Sequence, residues 1–261
     1  MVEGKSDAEK TAAEFVFPNG QLFSELLLFV SDVTGDDGAV ISFGPDLRIY
    51  RMNPAHTVFA EAVVPSSTLA SRVGVGDYLI RLPRDNLPAD RHRIHFKVVA
   101  EGQMYQTLVH ATDCSLALDT EVVQTIPSPA IAFEYEATLT MEEFTKIRRI
   151  RGPAELSVSA DSSPEIAEGA GRGKGQRTLK LNVIRKRWIS DSIQGRQREQ
   201  GIKGRYDFSL LAKLALPRSG LSNITFAFGQ QKPLVLVSRI PLNGVGIVCS
   251  CLVAPLDSDD S

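Results

Sequence analysis

The stretch Asp119–Ile131, DTEVVQTIPSPAI, divides the chain. Its two prolines, Pro127 and Pro129, push their preceding residues out of the helical region, so the segment is extended and exposed. The order of segments before it recurs after it. Upstream, Asn19–Val33 (NGQLFSELLLFVSDV) places Leu22, Leu26, Phe29, Val30 and Val33 at helical spacing. Strand-like runs follow at Ala39–Phe43, Leu47–Met52 and Thr57–Val64. Val75–Arg84 reads as a second short helix closed by Pro83, and His92–Ala100 and Met104–Leu118 alternate like antiparallel strands.

Downstream, Ala132–Thr140 reads as a strand. Met141–Arg151 (MEEFTKIRRIR) reads as a helix whose start is marked by Thr140 with Glu143 three residues on, a capping-box spacing. Leu156–Ser159 and Thr178–Ile184 are strand-like, Tyr206–Leu216 reads as a helix stopped by Pro217, and Ile224–Phe228, Leu234–Arg239 and Gly246–Val253 finish as strands. Each half runs strand, helix, strands, helix, strands, a duplication of pattern rather than of sequence. The expected organisation is a flexible tail over residues 1–13, a first domain over 14–118, a connector over 119–131, a second domain over 132–255 and an acidic tail over 256–261.

Bulk properties fit a folded protein inside the cell. Of 261 residues, 43% are hydrophobic and 23% charged, enough for a substantial core. The longest apolar run, near Leu26–Val30, is too short to span a bilayer, and Met1–Lys10 has no hydrophobic signal region. The net charge of −2 hides a split: residues 1–132 carry 17 acidic and 10 basic side chains, and residues 133–261 carry 14 and 19. Such asymmetry suggests one surface for an anionic partner. Cys249 and Cys251 lie on one face of a strand and read as buried thiols, and no histidine has ligand spacing with them.

No active site is evident. The chain lacks G-x-S-x-G, H-E-x-x-H and a complete phosphate loop; Gly169–Gly175 (GAGRGKG) has glycine spacing without the flanking strand and helix, and reads as a mobile basic loop. The Glu142–Glu143 pair suits a helix first turn. No enzyme activity, cofactor or metal is expected. The rival class, a metal-dependent nuclease, needs convergent acidic ligands that the sequence does not group.

Four segments resemble the proliferating cell nuclear antigen (PCNA) family of DNA polymerase sliding clamps, in the family's order. These are Phe43–Phe59 (FGPDLRIYRMNPAHTVF), with Met52 and His56 in a Met-x-x-x-His turn; Leu118–Pro127 (LDTEVVQTIP), like the interdomain connecting loop; Glu142–Arg149 (EEFTKIRR), like the helix of the second domain; and Pro233-Leu234-Val235 with Cys251–Pro255 and an acidic tail. Ser162–Gly204 is longer and more basic than that pattern. The resemblance implies an α+β DNA clamp fold: two similar domains, each with two helices on the inner wall and antiparallel sheets outside, closing head to tail into a three-subunit ring. The edges implied for that contact are Tyr105–Asp113 and Thr178–Val183. An unpaired strand edge is a liability that such a contact removes, and a heterologous contact that closes gives a ring.

A clamp of this kind holds duplex DNA through sequence-independent attraction between Lys/Arg and phosphates. The residues implied for the inner wall are Arg81, Arg84, Lys146, Arg148, Arg149, Arg151, Lys213 and Arg218. The first helix departs from the family, having no Lys or Arg and carrying Glu25 and Asp32. The basic second half then does most of the work, or the subunit sits beside more basic partners in a heteromeric ring. The partners implied are double-stranded DNA, DNA polymerase, clamp loader, ligase, nuclease and other clamp subunits, identical or different. Partner proteins insert short peptides into a pocket, here implied for Met52, His56, Thr57, Ile126, Pro127, Pro233, Leu252, Ala254 and Pro255. Thr57, Gln124 and Leu252 depart from the family's usual residues. A checkpoint-type clamp is the alternative within the same fold. The implied location is the cytoplasm or nucleoid if archaeal, and the nucleus if eukaryotic.

Overall fold

A computed structural model describes residues 10–35, 38–81, 92–112, 115–159, 162–168, 177–189, 201–212 and 223–256. The first half runs β1 (Lys10–Phe17), α1 (Gly20–Thr34), β2 (Gly38–Phe43), β3 (Leu47–Met52), β4 (Val58–Val64), β5 (Ser71–Gly74), β6 (Gly76–Arg81), β7 (Ile94–Glu101), β8 (Met104–His110) and β9 (Ser115–Val122). The second runs β10 (Tyr135–Thr140), α2 (Met141–Ile147), β11 (Pro153–Val158), β12 (Glu165–Glu168), β13 (Arg177–Lys180), β14 (Val183–Trp188), β15 (Ile202–Asp207), α3 (Ser209–Ala212), β16 (Asn223–Phe228), β17 (Leu234–Leu242) and β18 (Val245–Val253).

The strands repeat as the pattern suggested. In the first half β4-β3-β2-β6 and β5-β1-β7-β8-β9 lie side by side; in the second, β13-β12-β11-β15 and β14-β10-β16-β17-β18 do. Strand by strand the two sets correspond in order. One further pairing joins the halves: β18 runs antiparallel to β4, from Val253 opposite Val58 to Val248 opposite Val63. This makes a continuous fourteen-stranded sheet, with β13-β12-β11-β15 as a separate four-stranded one.

Alternation along the strands sends one set of side chains to the helices and the other to the outer face. Helix α1 packs on β2, β3 and β4, and its Phe23 meets Phe15 of β1 and Phe96 of β7 edge-on, at 5.4 and 5.8 Å. The helix begins where the Asn19 side chain accepts the Leu22 amide at 3.0 Å. It ends at Gly35 in the left-handed region (φ 69°), whose amide reaches Ser31 O. Phe144 and Ile147 of α2 join the same core with Leu139 and Phe226. Cys249 and Cys251 are buried free thiols on the core face of β18, and burial pushes both up to about 12. No helix among the described residues is long and apolar enough to cross a membrane.

Several local expectations are corrected. Lys10–Ala13 belongs to β1, with Ala13 fully buried, so these residues are no tail. Gly76–Arg81 is a strand and not part of a helix: Tyr78 and Ile80 face the core while Asp77 and Leu79 face outward. A run this short fits either period. Tyr206 and Asp207 end β15 instead of starting a helix, and α3 covers Ser209–Ala212. The run Met104–Leu118 is two strands, and Asp119–Val122 continues β9. Strand β8 is not an edge, because β7 and β9 flank it; the open edge nearby belongs to β9. Thr178–Val183 spans β13 and the start of β14, each the outermost strand of its sheet. The glycine-rich stretch Gly169–Gly175 lies outside the described residues.

Candidate functional site

Helix α2 carries the basic group. Its first turn forms because Thr140 Oγ1 accepts the Glu143 amide at 3.2 Å. The Glu143 carboxylate, buried, does not return to the cap. It accepts the Asn182 amide and side chain at 3.2 and 3.3 Å, and Lys146 Nζ. Burial drives its pKa upward, but these donors outweigh burial and hold it below the usual carboxylate range. Lys146 is raised in turn by its bond to Glu143, and Glu142 stands 3.6 Å from it. Much of its charge is thus answered within the helix.

The residues after α2 divide similarly. Arg148 Nη2 donates to Ala212 O at 3.1 Å, tying the end of α2 to α3. Arg151 Nη1 donates to Arg148 O at 2.8 Å and is otherwise exposed. Arg149 is exposed. These four cations gather within two turns of chain. Arg81 does not join them: it sits on β6, on the outer face with Leu79, bonded to exposed Glu121 at 3.1 Å. Arg84, Lys213 and Arg218 lie outside the described residues. The least buried stripe of α1, the half-buried Gln21, Glu25, Leu28 and Asp32, has no positive charge.

The outer face carries the second candidate. Directly opposed residues of neighbouring strands form rows across it. Met52, Phe59 and Leu252 make one such row. With Val40, Tyr50, Leu79 and Val123 they form an apolar cluster separate from the main core. The turn beside it is built by Asn53, whose side-chain oxygen accepts the Thr57 and Val58 amides at 2.8 and 2.9 Å. His56 there is exposed, in the left-handed region (φ 56°). The C-terminal segment returns to the same turn: the Ala254 amide donates to Thr57 O at 2.8 Å. Pro233 precedes Leu234, which pairs with Val253. Met52, Thr57, Leu252 and Ala254 are therefore adjoining, with His56, Pro233 and Pro255 flanking them.

Ile126 and Pro127 are exposed, and backbone bonds hold Ile126 over the cluster. The Ile126 amide donates to the Tyr50 hydroxyl at 3.1 Å, and Arg48 Nη2 donates to Ile126 O at 3.2 Å. Tyr50 itself donates to Asp77 Oδ2 at 2.9 Å. Burial, with the Asp77 carboxylate beside it, pushes that hydroxyl up to about 12 against the pull of the Ile126 amide, so it stays protonated and can donate. Sequence reasoning missed Tyr50, Arg48, Glu61 and Asp77. The available signal was the period of two in β3, which puts Arg48, Tyr50 and Met52 on one face. Among the described residues, no group of three or more His, Cys, Asp or Glu is placed to hold a metal.

Neither a protein-family model nor a curated protein sequence matches the chain. Solved structures do. A chain of the PCNA2–PCNA3 complex from Sulfolobus tokodaii superposes with a TM-score of 0.70 at 15% identity, over 93% of this chain and 98% of that one. The proliferating cellular nuclear antigen of Entamoeba histolytica does so at 0.69 and 11%, over 95% and 100%. A. fulgidus PCNA, in a structure with the C-terminal region of FEN-1 bound, does so at 0.66 and 12%, over 95% and 100%. The chain has the fold of the PCNA-type DNA clamps.

Proposed function

We propose that this chain is a sliding-clamp subunit: a non-catalytic protein that encircles duplex DNA with other subunits and tethers DNA polymerase and further replication and repair proteins to it. The observation that carries the reading is the pair of edges left open by the duplication. Within the chain, β18 pairs with β4. The strands that correspond to them are β9 and β13. Among the described residues, β9 has β6 beside it only over Thr120–Val122, and β13 has a neighbour on one side alone. A second copy's β13 offered to β9 repeats the contact already made inside the chain. Charge favours it: Asp119 is exposed on β9, and Arg177 is exposed on β13. Repeated head to tail, such a contact closes a ring.

In that ring the two repeats, β1–β9 and β10–β18, are the clamp domains. Arg149 and its neighbours face DNA, and the patch around Met52 and Leu252 receives partner peptides, including those of a nuclease such as the FEN-1 segment. A second reading is favoured by one observation, the half-buried outer stripe of α1 without positive charge: the chain is one position in a ring completed by more basic subunits. The test is molar mass in solution together with retention on DNA. Three times the chain mass, with retention on closed circular DNA and loss on linearised DNA, supports the first reading. A monomer that reaches that mass only with a second clamp protein supports the second. A monomer that never assembles overturns both.

A further inference from the structure

We propose that Tyr50, Arg48 and Glu61 are positioning residues that latch the connector onto the outer sheet, and so set the shape of the peptide-binding patch. This inference rests on the clamp reading for the patch, but not for the latch. The connector is held at three successive places. The Val123 amide donates to Asp77 O at 3.0 Å. Ile126 is held through both backbone groups, its amide by Tyr50 and its carbonyl by Arg48. Ser128 Oγ donates to both Glu61 oxygens, at 2.8 and 3.0 Å.

The anchors are themselves fixed. Arg48 Nε donates to Glu61 Oε1, and its guanidinium lies 4.8 Å over the Tyr50 ring. The Tyr50 hydroxyl is spanned between a donor in the connector and an acceptor, Asp77, on β6. Tyr50 is fully buried, and Glu61 and Asp77 are 5% and 6% exposed, on a face whose neighbouring rows are apolar. Two buried carboxylates there are costly unless their lone pairs are used. Glu61 accepts from Arg48 and from Ser128 of the connector, and Asp77 accepts from Tyr50. Tyr50 and Glu61 oppose each other across β3 and β4, two residues along from Met52 and Phe59. The latch row thus borders the row that floors the patch, and a connector released from the latch no longer walls it.

Hydrogen exchange at single amides and peptide affinity test this together, with the labelled C-terminal FEN-1 peptide as probe. Tyr50→Phe keeps the ring and removes only the hydroxyl. We expect exchange at Ile126 to quicken about three- to tenfold, the weight of one net hydrogen bond, with Val123 unchanged. The peptide dissociation constant should rise by a similar factor. Ser128→Ala, at an exposed position where the sheet is not at stake, should also quicken exchange at Ile126, the nearest connector amide held by a bond, because the chain two residues on is freed from Glu61. Unchanged exchange in both variants overturns the latch. Faster exchange with unchanged peptide affinity overturns its positioning role. Failure of the unaltered protein to bind the peptide defeats the patch reading, while the exchange result still decides the latch.

Discussion

At a helix start, Glu three residues after a Thr cap ordinarily turns back to the cap amide. Glu143 instead accepts from Lys146 within the helix and from Asn182, the latter joining α2 to the segment between β13 and β14. Its depressed pKa means the folded state prefers the ionised form. That stability is present above the ordinary glutamate value and is lost as pH falls through the lowered one. Glu143→Gln should therefore cost about 1–3 kcal/mol at pH 7. Denaturant unfolding should show the gap to the parent closing as pH falls below the ordinary glutamate range; a gap of unchanged size in acid would mean that the ionised contacts are not its source. The capping spacing was legible in the sequence, and half of it holds. The rest was not legible, because Asn182 lies 39 residues away and no local period points to it. Lys146 was readable as a cation on a helix face, but not as one already answered by two carboxylates.

Elements were legible in proportion to their length. The helical period of α1 spans four turns and admits one reading, and β2 and β3 stand where the alternation put them. Residues 76–81 were misread because DYLIR satisfies two periods, and only the pairing with β2 and β9 chooses between them. Strands β5, β12 and β13 have four residues each and take their conformation from their neighbours. For β5 the dependence is specific. The ladder between β1 and β7 slips between Thr11 and Ala13, leaving Ala12 bulged. Gly74 sits against that bulge at φ +89°, where an added Cβ would lie 2.3 Å from Ala12 O. Gly74→Ala should lower stability by more than about 1 kcal/mol, seen as a fall in melting temperature. An unchanged Tm would show that the bulge yields without cost.

For the whole molecule, the duplicated order was readable because it needs only the sequence of element types. The shared sheet was not, because β18 and β4 are far apart in the chain and nothing in either announces the other. The patch residues Met52 and Leu252 could be named from the resemblance, while the polar residues that hold the connector over them could not. The proposed subunit contact carries its own test at this scale. Asp119 is exposed on the open stretch of β9, and reversing it with Asp119→Lys sets like charges against the basic strand of a neighbour. Light scattering should then show mass shifted toward the single chain at modest salt. An assembly as large as the parent's would show that this edge is not the contact.

The β18–β4 pairing has a mechanical consequence. It is stapled by a covalent connector, so its two strands can part only briefly before the tether returns them. The joint proposed between β9 and a neighbour's β13 would have no tether. In a closed ring, fixed and separable seams therefore alternate around the circumference. If the proposed ring forms, it would part most easily where one chain ends and the next begins, so the place where it opens would follow from the linkage of the repeats.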